Sequence, residues 1–363
     1  MPARESVSRR GLTTVGKGSL LMAVVVFLAC SLAGGFLAWR ANHRHHRLKP
    51  GAVPVIGFSL DSLVVERWQR DLDIFRRSAH ELGAELILRV ANQDPVVQEK
   101  QVRELMKLGI DVLVIVPNDA DRLSAVVAEV RAMGIPVLSY DRLVRRAGVD
   151  LYLSFDNEKV GSQMAEALVQ AVPSGNYVII NGAKSDNNAV LLNLGIHRVL
   201  DPLVASGQVH IIAEIWPGSW DSGEAKASME AIVGRNRDIE AVIAGNDMLA
   251  EAAINVLTEN RIIGKVKVAA QDADLAACQR IAEGSQYATI YKPIDRLALK
   301  AAGFAVMLAR GEPLGVDGFI NDGAGQVPYA RLEIILVTKD LLTATVIKDG
   351  FHTARDVYRN VLQ

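Results

Sequence analysis

Ten short apolar runs, separated by stretches of helical period, constrain this chain more than any other feature. They read VPVIGFSL (53–60), AELILRVA (84–91), DVLVIVP (111–117), IPVLSYD (135–141), LYLSFD (151–156), YVIING (177–182), VHIIAEIW (209–216), EAVIAGND (240–247), VKVAAQD (266–272) and YATIYKP (287–293). None alternates polar with apolar, so each is expected to be buried on both faces, as in a parallel sheet. Between them, Val97, Val102, Leu105, Met106 and Leu108 mark one helical face. Val160, Met164, Leu168 and Val169 mark another. Ten strands exceed one comfortable doubly wound sheet. The body therefore predicts an α/β fold of two Rossmann-like lobes, with the first break near 154–158.

The first fifty residues follow other rules. Leu20 to Trp39 reads LLMAVVVFLACSLAGGFLAW without a charge, and at ~1.5 Å per residue it spans a bilayer core of ~30 Å. Arg9, Arg10 and Lys17 precede it; Arg40, Arg44 and Arg47 follow, with His43, His45 and His46 between them. Trp39 stands where an interfacial aromatic belongs. The run is long for a cleaved signal peptide, so the expectation is an uncleaved transmembrane signal-anchor; a cleaved leader is the alternative.

Formal net charge is −1, yet residues 1–50 hold eight Lys/Arg against one acid, Glu5. The remaining body is mildly acidic and repels phosphate backbones, which argues against nucleic acid as a partner. Two cysteines, Cys30 and Cys278, make neither a disulfide framework nor a metal site. No GxGxxG, GxxxxGK[ST], GxSxG or HExxH pattern occurs, so neither a cofactor nor catalysis has a motif beneath it.

What does recur is polar chemistry at the carboxyl ends of the strands, where open α/β sheets bind ligands. Asp61 and then Glu66-Arg67-Trp68-Gln69 follow the first run, and Tyr140-Asp141-Arg142 ends the fourth. Asp186-Asn187-Asn188, Trp216 with Trp220, Asn246-Asp247, Gln271-Asp272 and Tyr291-Lys292-Pro293 follow in the second half. Sugar hydroxyls both donate and accept, so Asp, Asn, Arg and Lys match them, while an indole covers the apolar face of a pyranose. Each residue also has a plainer reading: Asp186, Asn187, Asp247 and Asp272 as helix caps, Arg142 and Lys292 as surface ion pairs, Trp216 as core.

The runs ERWQ (66–69), YDR (140–142), SFDNEKVG (154–161), DNNA (186–189), GND (245–247), QDADLA (271–276), YKP (291–293) and VIKDGFH (346–352) resemble the type I periplasmic binding proteins of the ribose/galactose cluster, in their xylose branch. The resemblance implies two lobes joined by a three-crossover hinge, 53–156 plus 294–325 and 157–293 plus 326–355. It implies a site of Arg67, Trp68, Asp141, Arg142, Asn188, Trp220, Asn246, Asp272 and Lys292, with Trp68 and Trp220 as the stacking aromatics. The ligand it implies is a monosaccharide, D-xylose first, and the partners are the permease and ATP-binding subunits of an ABC importer. The apparent anchor departs from that pattern and leaves a membrane sensor kinase as the alternative partner. Either way the body belongs in the periplasm or cell envelope, bound to the membrane through residues 20–39.

Overall fold

The computed structural model describes residue 48 and residues 51–361 except 66 and 317. The expected anchor at Leu20–Trp39, with its basic stalk, lies outside the described residues. Among the described residues no helix is long and apolar enough to cross a membrane.

Strands and helices alternate through the chain. The order is β1 (Val55–Leu60), α1 (Arg67–Glu81), β2 (Glu85–Val90), α2 (Pro95–Lys107), β3 (Val112–Val116), α3 (Ser124–Ala132), β4 (Val137–Tyr140) and β5 (Leu151–Phe155). Then come α4 (Asn157–Ala171), β6 (Gly175–Ile180), α5 (Asn187–Ala205), β7 (Val209–Ile215), α6 (Ser222–Arg235), β8 (Ala241–Ala244), α7 (Asp247–Glu259), β9 (Lys267–Gln271), α8 (Leu275–Glu283) and β10 (Ala288–Tyr291). The chain finishes with α9 (Ile294–Arg310), β11 (Phe319–Asn321), β12 (Gln326–Leu332), β13 (Ile335–Thr338), two short turns of helix and α10 (Ala354–Val357).

Two sheets result, ordered β11-β12-β5-β4-β3-β1-β2 and β13-β10-β9-β8-β6-β7. All pairings are parallel except β11 with β12 and β13 with β10. Helices cover both faces, so β3, β4, β5 and β8 are buried at every position, as their unbroken apolar composition requires. All ten expected strands are present.

Three elements depart from expectation. The chain passes between the sheets after β5, after β10 and after β12. The third passage therefore falls between Leu332 and Ile335, later than the boundary at 326, because β12 pairs with β5 in the first sheet. β11 and β12 lacked the apolar signature because they lie at and beside a sheet edge with exposed positions, whereas β13 falls on the apolar run IILV (334–337), which sequence reasoning passed over. Finally, α2 buries Gln98 with Val102 and Leu105, while Val97 and Met106 are partly buried and Leu108 is exposed. The Gln98 amide donates to Val116 O at 2.8 Å and Ser59 Oγ at 3.2 Å and accepts from the Asn118 N–H at 2.9 Å. A polar group goes inside because every hydrogen-bonding atom it carries is used.

α4 and α5 cross at two glycines. A methyl on Gly161 would overlap Leu192 O, and one on Gly195 would overlap Glu158 O. α9 returns to the first lobe, where it packs on α1 and the first sheet and buries Ala298, Ala301, Ala302 and Ala305.

Candidate ligand-binding site

The turns that follow β1 and β4 in the first sheet meet those that follow β6 in the second. Arg67 and Trp68 open α1, and Asp141 and Arg142 follow β4. Asn188 lies in the first turn of α5, Trp220 in the β7–α6 loop, Asn246 before α7, Asp272 after β9 and Lys292 after β10. All are buried except Trp220, which is partly buried.

Asp141 is the hub. Its backbone is left-handed, φ 61°, and its carbonyl accepts from Ser154 Oγ at 2.6 Å and Asn188 Nδ2 at 3.1 Å. The Tyr152 hydroxyl lies 3.0 Å from Asp141 O and 3.1 Å from Asn188 Oδ1. Its carboxylate pairs with Arg67 Nη2 at 2.8 Å and accepts from Asn188 Nδ2 at 3.2 Å. Burial opposes its charge, but Arg67, Lys292 and Arg142 together hold its pKa below the ordinary value. The same balance holds Arg67 protonated: burial works against it, and Asp141 and Asp71 outweigh burial. Asp71 is itself pushed up by burial and accepts from Arg67 Nε at 3.1 Å and from the Tyr140 hydroxyl.

Arg142 bridges the lobes. Its Nη1 donates to Asp61 at 2.8 Å and its Nε pairs with Asp186 at 2.7 Å. Asp186 Oδ2 also accepts from Trp220 Nε1–H at 3.0 Å, and Asp186 Oδ1 caps α5 through the Asn188 N–H at 2.9 Å. Beside these, Ala120 N–H donates to Ser185 O at 2.9 Å, main chain to main chain across the cleft. The lobes are in the closed arrangement.

The plainer readings divide. Of the cap candidates, Asn187 and Asp247 are first helical residues behind the caps Asp186 and Asn246, and Asp186 does cap a helix. Asp272 does not: it pairs with Lys292 at 2.6 Å, and neither Lys292 nor Arg142 is a surface ion pair. Trp216, expected in the core, is partly exposed; its Nε1 donates to Glu214 at 3.1 Å and Lys184 sits 5.1 Å from its ring centre. β7 is an edge strand, so its end reaches solvent.

The two indoles expected to stack have different surroundings. Trp220 lies on Gly182 and Gly245, where a methyl at 182 would overlap the ring and one at 245 would sit 3.1 Å from it. Trp68 has the guanidinium carbons of Arg67 and Arg142 4.5 and 5.6 Å from its ring centre, within cation–π range.

Sequence reasoning did not single out Tyr152, Asn157 or Asp71, and it placed Asp61 and Asp186 at strand ends without adding them to the site set. Asn157 Nδ2 donates to Asn188 Oδ1 at 3.0 Å, and its place in SFDNEKVG was a usable signal. Tyr152 had none, since an aromatic inside a buried strand reads as core.

Four buried polar atoms here have no aligned hydrogen-bond partner: the donors Trp68 Nε1 and Arg67 Nη2 and the acceptors Gln271 Oε1 and Asp272 Oδ1. Arg67 and Asp272 are in ionic contact but keep directional capacity to spare. Buried groups normally spend that capacity, so this set suits a ligand that donates and accepts.

A family model described as "Periplasmic binding protein domain" matches residues 56–313. The chain is 44% identical over 304 residues to the D-xylose-binding periplasmic protein of Haemophilus influenzae, covering 84% of this chain and 92% of that one. It is 45% identical over 298 residues to the D-xylose-binding periplasmic protein of Escherichia coli, covering 82% and 90%. Among solved structures, a carbohydrate transporter solute binding protein from Chloroflexus aurantiacus, in complex with D-glucose, superposes with TM-score 0.77 at 29% identity, covering 83% of this chain and 97% of that one. Coverage and identity of this order place both lobes in one lineage: the chain belongs to the periplasmic binding protein family, whose members are binding receptors rather than enzymes.

Proposed function

We propose that this chain binds a monosaccharide, D-xylose in first place, between its lobes and delivers it to an ABC importer. The observation that carries the reading is the buried set of two donors and two acceptors with capacity to spare, Trp68, Arg67, Gln271 and Asp272. A hydroxyl satisfies a donor and an acceptor at once, and a pentopyranose offers several on a small frame. The relatives named for D-xylose in the same family support the choice of sugar. The nine residues Arg67, Trp68, Asp141, Arg142, Asn188, Trp220, Asn246, Asp272 and Lys292 form the site in this reading, with Asp141 and Arg142 offered by one lobe and Asn188, Asn246 and Asp272 by the other.

The three passages, after β5, β10 and β12, act as the hinge, and a ligand touching both lobes shifts the open–closed balance toward closure. Isothermal titration with D-xylose, D-ribose, D-glucose and D-galactose tests the binding: D-xylose is expected to bind tightest, and no heat from any of them would defeat the reading. Small-angle scattering tests the hinge, with a smaller radius of gyration expected at saturating sugar. The uncharged run Leu20–Trp39 supports anchoring of the body outside the cytoplasm. Carbonate-resistant membrane association is the expected result, and a soluble form starting near Gly34 or Arg40 would replace it. For the partner, co-purification of a permease and its ATPase is expected; recovery of a histidine kinase instead would move the reading to sensing.

A further inference from the structure

The run VIKDGFH (346–352) lies beyond the third passage, yet its last two residues touch the chain neighbours of the Lys292–Asp272 pair, Tyr291 and Ala273. His352 Nε2 lies 2.7 Å from Ala273 O; a carbonyl only accepts, so this nitrogen carries the proton and donates. Ala273 follows Asp272, and the two have φ of 56° and 106°. Residues with a Cβ keep such backbone only where their surroundings over-determine it. Here both backbone groups of Ala273 are held. Its N–H donates to Thr289 Oγ1 at 3.2 Å, Thr289 in turn donates to Asp247 at 2.9 Å, and its carbonyl is held by His352.

Phe351 acts on the other partner. Its ring centre lies 4.9 Å from that of Tyr291, the residue before Lys292. Arg70, one turn beyond Arg67 on α1, donates to Phe351 O at 3.0 Å and has its guanidinium carbon 4.5 Å from the Phe351 ring centre. The same guanidinium forks onto Asp295 at 2.7 and 2.6 Å, three residues beyond Lys292. The helix that carries Arg67 into the site therefore also grips the C-terminal segment.

We propose that Phe351 and His352 are positioning residues for the Lys292–Asp272 pair, acting through Tyr291 and Ala273, so that the C-terminal segment sets sugar affinity from outside the cleft. The proposal rests on the sugar site proposed above. Charged hydrogen bonds reward sub-ångström placement, and a strained loop released at one end moves its side chain away from that placement.

The test is titration of the full chain with D-xylose, using His352→Ala and His352→Gln in the native background and in Asp272→Asn. His352→Ala is expected to weaken binding about tenfold, and His352→Gln, whose amide still donates, by less than about threefold. In the Asp272→Asn background the effect of His352→Ala is expected to shrink below about twofold, because the group it positions is already altered. Equal losses in both backgrounds, or no loss in the native one, would overturn the proposal. A second readout needs no sugar: the amine-acylation rate of Lys292 relative to Lys226 and Lys267, followed by mass spectrometry. That ratio is expected to rise several-fold in His352→Ala and to return in His352→Gln; an unchanged ratio overturns the proposal. If the wild-type chain bound no monosaccharide, the sugar-site reading would fall, and the acylation ratio would still decide the positioning role.

Discussion

Trp68 and Trp220 face different neighbours, and that divides their work. Arg67 and Arg142 lie over the Trp68 ring, within cation–π range. Trp220 is backed by glycine main chain and tied to Asp186 through Nε1, and it is the ring for which stacking on a pyranose is proposed. Replacing Trp220 by Ala should weaken D-xylose binding by about 1–3 kcal/mol, read by titration. Trp216→Ala should leave binding within error, since that ring meets Lys184 and Glu214 at the sheet edge. Asp247 makes a separate prediction. Burial first, and the charge of Asp272 second, push its pKa up to about 7. The folded chain thus holds a proton that the unfolded chain releases near pH ~3.9, and stability contributed here falls as pH rises between those two values. Denaturant midpoints at about pH 5 and pH 8 should show that slope in the native chain and lose it in Asp247→Asn; an unchanged slope would place the titration elsewhere. Charged residues at strand ends were legible in the sequence because the sheet geometry puts them there. Tyr152 and Asp71 were not, because their role depends on which neighbour folds against them.

Strands β1, β3 to β6 and β8 to β10 were legible because burial on two faces forces an apolar run. β2 and β7 carried such runs too, but as edge strands they are mostly half-buried or exposed, against the expectation of burial on both faces. β11 and β12 lie at and beside a sheet edge, with exposed positions in both and Pro328 in β12, and so left no such mark; β13, antiparallel to β10, carried one that was passed over. α2 shows a subtler failure, since an apolar stripe cannot announce that Gln98 goes inside. The glycines between β6 and β8 yield a test of how elements build the site. Gly182 is where the Trp220 indole rests on the strand end, and a methyl there overlaps the ring. Gly182→Ala should therefore weaken sugar binding about as much as Trp220→Ala, by ~1–3 kcal/mol. Near-ultraviolet circular dichroism should report a displaced indole, and far-ultraviolet spectra should stay unchanged. Native-like binding by Gly182→Ala would show that Trp220 does not need its present seat.

Two lobes could be expected from ten strands, and their division near residue 155 could be read from the break in the pattern. The last passage could not, because β12 pairs by register with a strand more than 170 residues earlier. Closure joins Arg142 to Asp186 with both side chains buried. Removing the carboxylate by Asp186→Ala should cost the closed state about 1.5–3 kcal/mol, the usual worth of a charged hydrogen bond. Scattering at subsaturating sugar should then report a more open population, and an unchanged closing midpoint would show that the bridge contributes nothing. The bond from Ala120 to Ser185 has another consequence. It joins main chain to main chain, so no side-chain replacement other than proline at Ala120 deletes it, and it involves no atom of the molecule in the cleft. It tightens the grip on every guest by one common factor and leaves their ranking to the side chains. Such a receptor is tuned to scarcity by its backbone and to identity by its side chains, and either setting can drift without spoiling the other.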